Sequence, residues 1–206
     1  MDPIDVLAIG VIGLGLGLSL SENWRIRVRI RRARRWRLGE MPEVTLGRVV
    51  GRVRALGDLT RSPLTGRPCV FYVAEVRSDF APGNRRELGG VPFVLEDDSG
   101  RAIIDPAHAT AALSVAITGA LDRSEVTSAE RALFARLQNT RPVERLESWT
   151  FLEGVVEPGA TIEVLGAAIR EPDPAASAGP DVYRGVSATR LRIAWARGFP
   201  LVISES

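Results

Sequence analysis

Apolar and polar residues fall into three textures along this chain. Val6–Leu20, VLAIGVIGLGLGLSL, runs without a charge, and Arg25–Arg37, RIRVRIRRARRWR, is dominated by arginine. From Glu43 onward, short apolar runs alternate with turn formers. Within that third part Val44–Leu56, VTLGRVVGRVRAL, places Val49, Gly51, Val53 and Ala55 at every second position, the period of a half-buried strand. Ser62–Pro68 is dense in turn residues. Cys69–Arg77, CVFYVAEVR, is β-branched and aromatic and predicts a strand. Ser78–Gly90, with Pro82, Gly83 and Asn84, predicts an exposed hairpin loop. Phe93–Leu95 and Arg101–Ile104 flank the acidic turn Glu96–Gly100 and predict a hairpin.

The middle of the chain carries a helical signal. Thr127 and Glu130 have the spacing of a capping box, and Leu133, Phe134 and Leu137 follow at helical intervals. Together they predict a helix over Ser128–Asn139, with a further turn near Arg141–Ser148 interrupted by Pro142. Beyond the turn at Glu157–Gly159, strands are predicted at Thr161–Ile169, Arg190–Trp195 and Leu201–Ile203, with a loop at Pro172–Pro180. Seven or so short strands and one good helix imply a mainly β (β-rich α+β) fold: a small OB-like barrel or sandwich with a helical insertion, plus one N-terminal transmembrane helix. The partition is a membrane segment at 1–21, an Arg-rich juxtamembrane segment at 22–38, and a β-rich domain at 40–206.

The membrane reading of the first segment rests on its flanks. A fifteen-residue helix covers roughly 22 Å, short of the ~30 Å hydrocarbon core, so the span needs Pro3, Ile4 and the residues to Ser21 as well. The acidic start MDPID and the absence of an A-x-A site argue against a secretory signal. A buried core segment is the plainer alternative. Positive charge on the C-terminal side alone, bracketed by Trp24 and Trp36, favours an anchor with Met1 outside and the domain cytoplasmic. Gly13 and Gly17 form a G-x-x-x-G pair that fits either close helix approach or simply a glycine-rich span.

Charge changes the picture next. All 27 basic residues are arginine, and eight of them are Arg25, Arg27, Arg29, Arg31, Arg32, Arg34, Arg35 and Arg37. Removing those eight from the formal net of +2 leaves −6 on the remainder. The basic character therefore belongs to one segment, and nucleic-acid binding by the domain as a whole loses its electrostatic basis. Beside an apolar run, the arginines are candidates for binding anionic headgroups, at about 1 kcal/mol each near the surface.

Candidate chemistry is sparse. Cys69 and His108 are the sole cysteine and histidine. An internal disulfide and a four-ligand Cys/His zinc site are both excluded. Cys69 reads as a buried structural thiol or, less economically, a nucleophile lacking a base. The Glu96–Asp98 carboxylates read as a solvated turn or a divalent-cation site that does not fit the calcium-loop spacing. No nucleophile elbow, phosphate loop or dinucleotide fingerprint appears in a fitting context. No cofactor is implied, and no catalytic residue is assigned.

Four stretches taken together carry a family resemblance: SPLTGRPCVFY (Ser62–Tyr72), FVLEDDSGRAIID (Phe93–Asp105), EPGATIEVLG (Glu157–Gly166) and FPLVISE (Phe199–Glu205). In order and spacing they resemble the GIDE domain, also called the "beside a membrane" (BAM) domain, of mitochondrial membrane-anchored ubiquitin/SUMO ligases and many bacterial membrane proteins. The resemblance covers about residues 40–205. It implies an intracellular β-rich domain held next to a membrane, acting as an interaction or scaffold module with a protein partner. Ligase activity in the eukaryotic relatives comes from a RING, whose zinc ligands this chain lacks, so that activity is not carried over. An OB-like ligand or single-strand nucleic-acid binder is the alternative, and a RING-less component of a ubiquitin-ligase-like system is a third.

Overall fold

The computed structural model describes residues 24–78, 84–118, 126–137, 149–173 and 189–206. The expected membrane segment at 1–21 lies outside them, as do Arg141–Ser148 and residues 174–180 of the expected loop. Among the described residues no helix is long and apolar enough to cross a membrane.

A helix, α1, covers residues 24–32, and a 3-10 turn covers Leu38–Glu40. The strands up to the middle of the chain are β1 (Leu46–Ala55), β2 (Thr60–Arg61), β3 (Pro68–Cys69), β4 (Phe71–Ser78), β5 (Asn84–Gly90), β6 (Phe93–Asp97), β7 (Gly100–Ile104), β8 (Thr110–Ala112) and β9 (Ala116–Ile117). Helix α2 (Ser128–Leu137) precedes β10 (Trp149–Val156), β11 (Thr161–Pro172), β12 (Thr189–Ala194) and β13 (Val202–Glu205).

The fold is mainly β, built on a closed five-stranded barrel. Its strands run β1-β6-β7-β12-β11 and return to β1. All neighbours are antiparallel except β7 and β12, which are parallel. Closure depends on β11, which pairs with β1 along one edge and with β13 and then β12 along the other. The alternation expected for β1 holds through Val53: Gly47, Val49, Gly51 and Val53 point inward, while Ala55 is exposed. The interior is filled by Val49, Val53, Phe93, Leu95, Ile104, Ile162, Val164 and Ile193, among others.

A second sheet, β5-β4-β10-β9, covers part of the barrel. Phe71 and Val73 of β4 join the barrel core, while Ala74 and Val76, on the opposite face, pack with Leu133, Phe134 and Phe151. The sheet is thus sandwiched between barrel and α2. The capping box forms as expected: Thr127 N–H donates to Glu130 Oε2 at 2.8 Å, and Glu130 N–H donates to Thr127 Oγ1 at 3.2 Å.

Three expectations change. Ser78–Gly90, expected as a loop, supplies β5 in register with β4, with residues 79–83 outside the described set. Strand β10, for which no element was expected, is buried on both faces and so shows no alternation. The Arg-rich stretch, expected to be separate from the domain, is part of the folded body from α1 onward. Ile30, Leu38 and Met41 are fully buried, Leu38 and Met41 in the barrel core.

Inward glycines let β1 pass close to its neighbours. A Cβ on Gly51 would lie 2.6 Å from the Glu96 carbonyl oxygen and 2.9 Å from Leu95 Cγ. Because the obstacle includes backbone, Gly51→Ala is expected to lower stability by about 1–3 kcal/mol, read as a shifted urea midpoint with an unchanged slope.

Candidate functional site

α1 presents Ile26 and Ile30, at i and i+4, and the bend that follows it presents Ala33, at i+7, to Leu165, Val202 and Leu46. That contact fixes the helix on β11 and β13 and sends its arginines outward. With about 100° per residue, Arg25, Arg29 and Arg32 fall on one flank of α1 and Arg27 and Arg31 on the other. Trp24, 64% exposed, and Val28 lie on the outermost line between them. After the helix, residues 34–36 run beside β1. Arg48 N–H donates to the Arg34 carbonyl at 2.9 Å and Trp36 N–H to the Arg48 carbonyl at 2.8 Å.

All eight candidate arginines are exposed, but they are not equivalent. Arg37 is held by Asp98 and lies 4.0 Å from Glu40. The Arg34 guanidinium sits 4.0 Å from the Trp36 ring centroid. Arg25, Arg27, Arg29, Arg31, Arg32 and Arg35 have no acidic partner among the described residues. Trp36, expected to bracket the cluster at a membrane interface, instead packs half-buried against the barrel core, close over Gly47.

The acidic turn serves the same region as a lock. Asp97 Oδ1 accepts from Ser99 N–H (2.8 Å), Ser99 Oγ (2.6 Å) and Gly100 N–H (3.0 Å), while Oδ2 accepts from Leu38 N–H at 2.9 Å. Ser99 Oγ in turn accepts from Gly39 N–H at 2.9 Å. These bonds join the hairpin to the 3-10 turn that follows the arginines. Partial burial pushes Asp97 upward, but the bonds from Ser99, Leu38 and Gly100 outweigh it and hold its carboxyl below the ordinary value. Among the described residues no three His, Cys, Asp or Glu side chains are grouped to hold a metal.

Cys69 is fully buried in β3. Burial first, and then the charges of Glu153 and Glu157, push its thiol up to about 11, the reverse of what a nucleophile needs. His108 is exposed on the loop between β7 and β8, in a left-handed conformation (φ 60°), with its ring 5.5 Å from that of Trp195. No hydrogen bond or ring contact joins it to Cys69 among the described residues.

Two features have no precursor in the sequence reading. Glu153, buried on β10, gathers the turn after β2: it accepts from Leu64 N–H (2.8 Å), Ser62 Oγ (2.9 Å), Thr65 N–H (3.3 Å) and Thr65 Oγ1. It lines a 360 Å³ cavity with Glu130, and both carboxylates are occupied by backbone and hydroxyl donors. The larger feature is a groove of 620 Å³ where α1, β5 and β8 meet. Arg25, Ile26, Arg29, Arg86, Leu88 and Ala109 are among its lining residues. Arg86 is set by the cross-strand pair Glu75↔Arg86: its Nε lies 2.8 Å from Glu75 Oε1, without hydrogen-bond alignment, and its Nη2 donates to the Ala111 carbonyl at 3.3 Å. Glu75 is buried and also accepts from Arg77 at 2.7 Å.

Comparison with protein-family models, with characterised proteins and with solved structures finds no match to this chain.

Two predictions follow from the lock and the thiol. Because the folded pKa of Asp97 is depressed, its contribution is present at neutral pH. It fades as the pH falls through the ordinary aspartate value of 3.8 toward the lower folded one. Stability of Asp97→Asn, measured by urea melts across acid pH, is therefore expected to be lower at neutral pH and to fall less steeply on acidification. Cys69 is expected to resist iodoacetamide in the folded protein at mildly alkaline pH and to alkylate only after denaturation, as read by intact mass.

Proposed function

We propose that this chain is a non-catalytic interaction module seated on the cytoplasmic face of a membrane, with its arginine surface against anionic headgroups. One observation carries the reading. Six exposed arginines without acidic partners among the described residues crowd one docked helix and the residues after it, on a chain whose remaining formal charge is −4. An anionic bilayer attracts that surface and repels the rest, so the protein is oriented as well as bound. The exposed Trp24 and the half-buried Val28, between two arginine flanks, have the amphipathic profile of an interfacial helix. The N-terminal apolar run at Val6–Leu20, as a single-pass anchor with Met1 outside, belongs to the same proposal. So does the resemblance to GIDE domains, with a protein partner recruited at the membrane.

A second reading has a specific observation behind it. The barrel order, an antiparallel meander of β1, β6 and β7 followed by β12 parallel to β7 and by β11 closing on β1, is that of OB-type barrels. Such barrels bind single strands by stacking bases on aromatic side chains. Here the residues of β6 and β7 not buried in the core include Val94, Glu96, Arg101 and Ile103, with no aromatic among them. The strand order thus supports an OB-like fold better than it supports that ligand. The RING-less ligase-system reading has no structural observation in its favour.

Hydrogen exchange on the full chain reconstituted in bilayers tests the first reading. α1 amides are expected to exchange more slowly on bilayers containing phosphatidylglycerol than on phosphatidylcholine alone. The difference should shrink as salt shortens the screening length from ~10 Å at 0.1 M to ~3 Å at 1 M. It should also shrink when Arg25, Arg27, Arg29, Arg31 and Arg32 are changed to Gln. Equal exchange on the two bilayers would sink the proposal, and salt-sensitive binding to a single-stranded oligonucleotide instead would favour the second reading.

A further inference from the structure

We infer that the groove where α1, β5 and β8 meet binds one anionic phospholipid, its phosphate held by Arg25, Arg29 and Arg86 and part of an acyl chain lying on Ile26, Leu88 and Ala109. The inference rests on the membrane-face reading and gives that face a discrete site with a defined ligand. The groove's 620 Å³ falls within the roughly 300–1,000 Å³ of small-molecule sites. Arg25 and Arg29 stand one helical turn apart on the flank of α1 that faces it, and neither has an acidic partner among the described residues. Arg86 approaches from β5, in a position fixed by Glu75 and the Ala111 carbonyl. No carboxylate is found among the described residues lining the groove, and Glu75, beside Arg86, offsets that one guanidinium, so the unmatched positive charge facing a phosphate there is that of Arg25 and Arg29.

The apolar side of the groove decides between anionic ligands. Ile26, Leu88 and Ala109 are each partly accessible and aliphatic or small. A free phosphate leaves that surface wet, whereas a phospholipid covers it. Nucleic acid finds no aromatic ring there on which to stack a base. Phosphate recognition by arginine beside an aliphatic surface is thus matched by a molecule carrying both parts, which a membrane supplies at the place the arginine face would hold the protein.

Native mass spectrometry of the full chain in a nonionic detergent tests this, with phosphatidylglycerol, phosphatidylcholine, inorganic phosphate or a single-stranded oligonucleotide added. The expected result is one phosphatidylglycerol retained per chain, with little retention of phosphatidylcholine or inorganic phosphate. Arg25→Gln/Arg29→Gln is expected to lower that retention roughly tenfold or more. The control Arg27→Gln/Arg31→Gln removes equal charge from the flank away from the groove and is expected to leave retention within about twofold of the parent. Equal loss in both pairs, several lipids per chain, inorganic phosphate held as well as lipid, or the oligonucleotide held in its place would each overturn the site. The first two outcomes would leave the membrane-face reading standing as diffuse attraction. Absence of any bilayer effect in the hydrogen-exchange experiment would instead remove the reading beneath it.

Discussion

Along one edge β11 pairs with β1, while its other edge is divided between β13 at Ile162–Leu165 and β12 at Ala167–Pro172. The division falls at Gly166, where a side chain would lie 2.6 Å from Ile193 Cγ2. Pairing on both edges closes the barrel and removes the open strand that would otherwise recruit another chain. It also sets two faces of one strand to different tasks. Val164 points into the barrel, while Leu165 points out and receives Ile30 from α1. The helix that carries the arginines is therefore seated on the strand that closes the core.

Carboxylates hold the elements around this barrel in place. Asp97 ties the β6–β7 hairpin to the turn after the arginines, Glu153 gathers residues 62–65, and Glu75 fixes Arg86 at the edge of the second sheet. In each case a buried or half-buried charge is repaid by several donors, as burial of a carboxylate requires. Their chemistry is used up in holding backbone and guanidinium groups, which leaves the unpaired arginines as the surface with interactions still to make.

The parts of this fold written locally were legible in the sequence. The β1 alternation, the acidic turn and the Thr127–Glu130 capping box are set by residues a few positions apart, and each appears with small shifts of boundary. What depended on distant partners was not. The segment Asn84–Gly90 has no apolar alternation and becomes a strand through its register with β4. Burial on both faces erases the period of β10. In α1 the alternation of arginine with Ile26, Val28 and Ile30 hides the i, i+4 face that β11 and β13 receive. The arginine cluster was visible as a charge run. Its division into spent and free members required Asp98 and Trp36 in place, and the groove required Arg86, brought in from another sheet.

The seating of α1 also has a mechanical side. No slack chain separates Trp24 from the barrel: the helix is bolted through Ile30 onto Leu165 and Val202, and residues 34–36 continue along β1. A pull or a twist applied at residue 24 is delivered straight to β11 and its neighbours. A body held at residue 24 would thus be oriented through the apolar contact between α1 and the strands beneath it.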